Sequence, residues 1–508
     1  MKDSIQNKEN TKNSFIMMIL TLISRLLGII KARVITTAFG ATSTADVINV
    51  AFYLPNNLRK IFAEGAITSA FVPSLSKSDD ENYRNKLLGL MLTFQIIVFS
   101  IIIILFIIFG KQIFGFISAF EGDDLELGGR LLPYFLGFLA FISIANIFAA
   151  VLQTDKKFTI YGLAPLFYSI TLILFVSLTN KTFGAMSMAY GVLIASIIQF
   201  IFTLVLTLKN GYGIHISFNY RDKEFKRILH LWLIVLSSSI ASILSQQFST
   251  YLASTLDIGS ATAFSNSMIF FSTPYGIINA GFVTVIYPLL SRYYITNDKK
   301  LFEDSLSYGI DGMINLFIPA TLILMFLSEE FVAVLLQNGK FTFEDTQLTA
   351  SITYYLVLGL TIIGINNLLN KALIATKKEK ISFKLIILQA SIDVILSLIF
   401  INKIGIIALP IANTISYLVT LIIQLFLFRS NLDYKEILKT IIKTITANIP
   451  LIVVLILYKM YCPVWYISGS NLKNLIILLI IGIVLLLVLL VSYTLFKIPL
   501  IQYFRRKK

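Results

Sequence analysis

Five stretches of this chain run for more than about twenty residues without a charged side chain: Leu87–Gly110, Leu131–Thr154, Phe158–Asn180, Thr182–Leu208 and Asn474–Phe496. A helix needs about 20 apolar residues to cross a bilayer. Inside hydrocarbon every backbone N–H and C=O must find a partner within its own segment or in a closed barrel. Apolar runs of this length therefore predict spanning helices. Extending the reading along all 508 residues predicts an all-α integral membrane protein of about 14 transmembrane helices. Their approximate positions are 14–39, 46–75, 87–110, 131–153, 158–179, 184–208, 228–252, 260–288, 308–327, 346–371, 381–401, 405–428, 440–458 and 474–496. The polar first thirteen residues and a long, charge-interrupted first apolar stretch read as a first span and not as a cleaved signal peptide. Only 14% of the chain is charged, against roughly 25% for soluble domains. That excludes a cytosolic enzyme, a disordered chain and a secreted disulfide scaffold. Cys462 is the single cysteine, and His215 and His230 have no ligand cluster beside them, so no disulfide and no metal centre are expected.

The formal charge is nonetheless +15. With the N-terminus inside, cytoplasmic segments hold about four times as many Lys and Arg as the outer loops. They include Lys77, Arg84, Lys86, Arg221, Lys223, Lys226, Arg227 and the tail Arg505–Lys508. Both termini are therefore expected in the cytoplasm, and the acidic loop Glu121–Glu126 outside. The basic excess follows membrane topology and is not a nucleic-acid footprint.

The chain repeats itself in outline. Val72–Lys77 (VPSLSK) closes span two and Tyr287–Arg292 (YPLLSR) closes span eight. Ala149–Lys157 (AAVLQTDKK) follows span four and Lys371–Glu379 (KALIATKKE) follows span ten. Matches in the same order at similar offsets predict a duplication. Six spans per half is even, so the halves form a parallel repeat. The expected domains are an N-lobe over 1–215 with spans one to six, a C-lobe over 216–430 with spans seven to twelve, and an extra pair of spans over 431–508. The last span is almost pure Leu, Ile and Val, and suits either a lipid-facing helix or a groove for an acyl or prenyl chain.

Charges inside the first two spans carry the chemistry. Arg25, Lys31 and Arg33 lie in span one; Arg59, Lys60 and Glu64 lie in span two, which Asp46 opens near the outer face. A charge at the bilayer centre costs about 2.5–3.5 kcal/mol on insertion scales, so such residues face a cavity or a partner. Lys60 and Glu64 can pair at i and i+4. The remaining cations outnumber the acids near them, which points to an anionic ligand. Arginine's planar fork of donors suits phosphate oxygens. Snorkelling to headgroups is the alternative for the lysines. Gly28, Gly40, Pro55 and Gly65 are natural bend points. Span seven carries the stripe Ser238, Ser242, Ser245 and Ser249 with Gln246 beside it, which either lines a polar cavity or packs helix on helix; Asn366, Asn367 and Asn370 in span ten read the same way.

Ser24–Leu75 reads SRLLGIIKARVITTAFGATSTADVINVAFYLPNNLRKIFAEGAITSAFVPSL. Its pieces SR-x-x-G, FGA, A-D, LPN-x-LR-x-x-FAEGA and AFVP closely resemble, in order and spacing, the first two helices of the MurJ (MviN) family of lipid II flippases. Weaker matches occur at Gln337–Thr342 and Phe158–Pro165. The resemblance implies a fold of the multidrug/oligosaccharidyl-lipid/polysaccharide exporter superfamily working by alternating access. Its implied substrate is lipid II, the undecaprenyl-pyrophosphate-linked peptidoglycan precursor, moved from the inner to the outer leaflet. By position Arg25 and Arg59 match basic cavity residues of that family, with Lys31 and Arg33 expected to contribute to holding the pyrophosphate. Asp46 matches its acidic residue near the outer opening, and spans thirteen and fourteen match its lipid-tail groove. Three residues depart from the pattern. Lys31 stands where Arg is usual, Ala32 where an acid commonly follows, and Ile269 in span eight where a functional Arg is usual. No Lys or Arg occurs between Arg227 and Arg292.

The expectation is thus a monomeric transporter of the bacterial inner membrane and not an enzyme. It would need no cofactor, with coupling to a monovalent ion or to the membrane potential. The alternatives within the same fold are a flippase for another polyprenyl-pyrophosphate-linked glycan and a small-molecule exporter.

Overall fold

The computed structural model describes residues 20, 23–62, 71–77, 80–155, 157–462, 464–467 and 471–498. Among them all regular structure is helical, and a helix lies within each expected span. The chain divides into two compact units, 1–262 with 338–340 and 263–337 with 341–508.

The first unit opens with α1 over 23–39, followed by α2 (Ser43–Phe62) and a helical segment over 71–75. Then come α3 (Glu81–Ile117), α4 (Gly122–Thr154), α5 (Phe158–Phe183), α6 (Met186–Lys209) and α7 (Lys223–Ser254). Helix α4 is the hub, packing against α2, α3, α5 and α6. Its most apolar window is 83% buried, against 22% in α3. The difference follows from the four helices packed around α4, and two of its glycines bring α3 closest. Gly128 lies under the Phe114 ring and Gly129 against the Lys111 backbone, at distances no side chain would permit. Helix α3 is longer than a bilayer needs, and its helical backbone breaks at Phe109 (φ −112°, ψ 15°). Helix α7 packs on α2 and α3.

The second unit takes most of α8 (Ser260–Ile295), then α9 (Lys299–Phe326), the short α10 (Ser328–Leu336), α11 (Phe343–Val357) and α12 (Leu360–Ala375). It ends with α13 (Glu379–Ile404), α14 (Ala408–Leu427), α15 (Tyr434–Ala447), α16 (Ile449–Tyr461) and α17 (Asn471–Leu495). Its main core joins α8, α9 and α12 through Ile286, Leu306, Met313, Phe317 and Leu368. A second core around Leu327, Leu451, Leu455, Leu485 and Tyr493 holds α15, α16 and α17. Tyr493 Oη donates to the Asn315 carbonyl at 2.8 Å and accepts from Asn448 Nδ2 at 3.0 Å, so the last three helices are tied to α9 by hydrogen bonds as well as by packing.

Besides span three, which breaks at Phe109, two expected spans are not single straight helices. Span ten is the pair α11 and α12, bent by 46° around Leu358 and Gly359. Span thirteen breaks between α15 and α16 at Asn448, where Pro450 cannot supply an N–H to a continuing helix. Nine described stretches are long and apolar enough to cross a membrane, or ten with the bent pair. One of these, Glu379–Leu427, would be about 74 Å long as a single helix. It is instead the two helices α13 and α14 packed against each other, and so makes two crossings.

Candidate functional site

The α1–α2 hairpin positions the candidate cations. Its turn begins at Gly40, whose φ of +64° is the left-handed conformation that closes a helix C-terminus. Gly40 N–H donates to the Thr36 carbonyl at 2.8 Å, and Thr42 Oγ1 accepts from Ala45 N at 3.4 Å to start α2. The FGATSTAD sequence therefore reads locally as C-cap, turn and N-cap.

The same turn receives a segment from three hundred residues downstream. Lys340 N donates to the Thr37 carbonyl at 3.2 Å, and Asn338 Nδ2 donates to Thr37 Oγ1 at 3.2 Å. A methyl group on Gly40 would lie 2.5 Å from the Lys340 carbonyl oxygen, and one on Gly339 2.7 Å from the Thr37 carbonyl oxygen. The Gln337–Thr342 sequence thus contains a docking device: Asn338–Lys340 satisfies a carbonyl that the end of α1 leaves open.

Three candidate cations of α1 are half-buried: Arg25, Lys31 and Arg33. Arg25, Gly28 and Lys31 follow at three-residue spacing, and the space beside Gly28 is open. The Lys31 ammonium sits over the buried Tyr168 ring of α5, 5.6 Å from its centroid. Arg59, half-buried on α2, acts electrostatically on both Lys31 and Tyr168. Helices α1, α2 and α5 thereby bring Lys31, Arg59 and Tyr168 together. Tyr168 was invisible as a site residue in the sequence, where a tyrosine within an apolar run reads as core. Two cations repelling each other in a low-dielectric surrounding would both gain from an intervening anion.

Asp46 has a different setting. It is 4% exposed, and its carboxylate accepts from Gly259 N at 2.6 Å and Thr262 N at 2.7 Å. These are among the open N–H groups at the start of α8, where the helix dipole favours an anion. Asn49, one turn later on α2, donates from Nδ2 to Thr262 Oγ1 at 3.1 Å. Ser43 Oγ donates to Asp124 on α4. Pro55 is buried inside α2. Glu64 and Gly65 lie outside the described residues, as does the side chain of Ser238.

The rest of the serine stripe packs inward. Ser245 and Ser249 are buried, Ser249 Oγ donates to the Ser245 carbonyl at 3.2 Å, and Ser242 is half-buried. Gln246 reaches α2, where its Oε1 accepts from Tyr53 Oη at 3.5 Å. In the second unit the span-ten asparagines form a network. Asn366 Nδ2 donates to Thr420 Oγ1 at 2.9 Å, Asn367 Nδ2 to Asn279 Oδ1 at 2.9 Å, and Asn370 Nδ2 to Asn366 Oδ1 at 3.0 Å. Ile269 is half-buried on α8, among uncharged polar neighbours in sequence. A further group was missed from sequence: Asp393, 2% exposed in mid-α13, accepts from Asn413 Nδ2 at 3.5 Å. The buried Gln389 lies one turn before it on α13, and Ser397 one turn after. Among the described residues no cluster of three or more His, Cys, Asp or Glu is placed to hold a metal ion.

Comparison with known proteins gives a consistent picture. The family model described as lipid II flippase MurJ matches residues 35–493. A probable lipid II flippase MurJ from Borreliella burgdorferi is 32% identical over 500 residues, covering 97% of this chain and 98% of that protein. Its counterpart from Rickettsia prowazekii is 26% identical over 421 residues, covering 80% and 81%. Among solved structures, a lipid II flippase MurJ in an inward closed conformation superposes with a TM-score of 0.76 at 24% identity, covering 95% of this chain and 98% of that one. An inward-facing MATE family multidrug transporter of the MOP superfamily follows with a TM-score of 0.68 at 15% identity, covering 84% and 98%.

Proposed function

This chain belongs to the lipid II flippase MurJ family, a family of bacterial multi-pass membrane transporters, and from that premise we propose that it carries lipid II from the cytoplasmic to the outer leaflet by alternating access. The observation that supports the reading best is the gathering of Lys31 and Arg59 around Tyr168, with Arg25 one ridge along α1 beside open space. A pyrophosphate meeting this group replaces cation–cation repulsion with charge-assisted hydrogen bonds. Arg33 supplies a further positive charge, and the first unit compensates in this way for the missing cation at Ile269.

The prenyl tail stays in lipid against α16 and α17, whose outward rows are apolar and exposed. The six-span lobes expected over 1–215 and 216–430 rock about the headgroup, in a monomer of the inner membrane with both termini cytoplasmic. Binding must be of similar strength in the two states, or the substrate would be trapped. Coupling to the membrane potential is worth about 2.3 kcal/mol per charge per 100 mV. Asp393 is the buried carboxylate of α13 best suited to a monovalent cation. A flippase for another polyprenyl-pyrophosphate-linked glycan is the second reading, favoured by Ile269.

The test is complementation of a strain depleted of its lipid II flippase, with outer-leaflet lipid II measured by labelling. The wild-type chain restores labelling; Arg25→Ala and Arg59→Ala do not, while each remains in the membrane at wild-type level. Tyr168→Ala weakens function more than Tyr168→Phe, because Phe keeps the ring under Lys31. Unimpaired labelling by Arg59→Ala would remove the cavity assignment. Failure of the wild-type chain to complement would favour the second reading.

A further inference from the structure

Helix α15 presents three kinds of surface. Thr444 and Ala447 are buried in the second unit, with Thr444 Oγ1 donating to Asn315 Oδ1 of α9 at 2.5 Å. Leu438 and Ile442, each 57% exposed, begin an apolar row that continues through Ile445 to Ile449 on α16. Beside it, Lys435, Lys439 and Lys443 stand at i, i+4 and i+8, one exposed stripe along the helix. The acids nearby on the helix are partly engaged. Asp433 caps α15 by accepting from Lys435 N at 2.9 Å, and Glu436 accepts from Lys439 Nζ at 3.2 Å.

The level of this stripe in the membrane follows from one contact. Lys443 Nζ donates to the Lys497 carbonyl at 3.2 Å, just past the end of α17. Helix α17, 25 residues long, spans about 37 Å, enough to cross the hydrocarbon. Lys443 is therefore level with the end of a span. Lys439 and Lys435 lie about 6 and 12 Å further along α15, at the depth of lipid headgroups. A basic stripe at headgroup depth, flanked by an exposed apolar row that points into the bilayer, combines the two features that bind an anionic lipid and not a soluble anion.

We propose that α15 is a binding site for an anionic glycerophospholipid: its phosphodiester is held by Lys435, Lys439 and Lys443, and its acyl chains lie along Leu438, Ile442 and Ile445. The site is separate from the cation group of α1 and α2, and its occupancy does not depend on what the protein transports. An occupied site steadies α15 against α9 and so ties the stability of the α15–α17 group to the lipid composition of that leaflet.

The experiment is native mass spectrometry of the full chain in detergent, titrated with phosphatidylglycerol or with phosphatidylcholine. The wild type retains phosphatidylglycerol selectively, and retention falls as salt rises. The triple variant Lys435→Gln, Lys439→Gln, Lys443→Gln loses about tenfold or more in phosphatidylglycerol affinity and keeps its phosphatidylcholine affinity. The triple Lys→Arg variant restores selectivity, which separates charge from misfolding. Wild-type phosphatidylglycerol affinity in the Gln variant overturns the proposal. So does loss in the Arg variant equal to that in the Gln variant. Effective competition by millimolar glycerol phosphate also overturns it, by showing that the stripe binds a soluble anion.

Discussion

Replacing Asp46 by Ala tests whether this carboxylate builds the start of α8. Two hydrogen bonds to a charged acceptor are lost, at 2.6 and 2.7 Å, each worth about 1.5–3 kcal/mol. The favourable placement of an anion at a helix N-terminus adds about 0.3–1 kcal/mol. Relaxation and water entry return part of this, leaving a net loss of about 3–4 kcal/mol, or two to three orders of magnitude in local opening. Asp46→Asn keeps the shape and one acceptor oxygen but loses the charge, and should fall between. The assay is amide hydrogen exchange in detergent, resolved to the peptide containing Gly259 and Thr262. Exchange there should accelerate about a hundredfold or more in Asp46→Ala and less in Asp46→Asn, with α13 and α14 unchanged. If exchange at 259–262 is unaltered while transport is lost, Asp46 acts directly on substrate or gating and the capping explanation fails.

Three other perturbations follow from the geometry. Gly40→Ala and Gly339→Ala each place a methyl group against a backbone carbonyl at a positive φ, and should cost about 1–3 kcal/mol in thermal unfolding; Gly281→Ala, with open space around it, should be near neutral. Lys459→Ala strands Glu330, 2% exposed and paired at 2.6 Å with a lysine that is 37% exposed. The expected loss is about 3 kcal/mol, recovered in part by adding Glu330→Gln, as read from melting temperatures. On the face carrying Lys77 and Arg227, the hydrogen bond from Lys77 holds the Glu224 carboxyl below its usual range, helped by the charges of Lys77 and Arg227. A depressed carboxylate stabilises the folded state above its unfolded pKa and loses that contribution as pH falls through the folded value. Protection of the 222–227 amides, taken against intrinsic exchange at each pH, should therefore fall on acidification below the ordinary glutamate range, and Glu224→Gln should reduce that dependence to the share of Asp222, whose carboxyl the hydrogen bond from Lys86 also holds low.

Much of the fold was legible because hydropathy is a sum over neighbouring residues. The transfer energy of each segment into lipid is written in its own twenty residues, so span positions and the membrane class followed directly. Bends were less legible. Gly359 and Pro450 are common residue types in spans, and only the packing of α11 on α10 and of α15 on α9 decided which of many such positions became breaks. The cations of α1 and α2 were conspicuous because charge in an apolar run is costly. Tyr168 and Asp393 were not, since one tyrosine or aspartate carries no periodic signal and gains meaning only from what faces it.

By itself, the sequence determined the class, the approximate spans, the resemblance to a transporter family and which charges had to be buried. Tertiary structure alone decided what those charges meet. Asp46 finds its partners 213 and 216 residues away at the start of α8, and Thr37 finds Asn338 301 residues away. The physical reason is range. Burial and helix formation are governed by local composition, whereas an open N–H or carbonyl at a helix end is satisfied by whichever segment the packing of other helices carries to it.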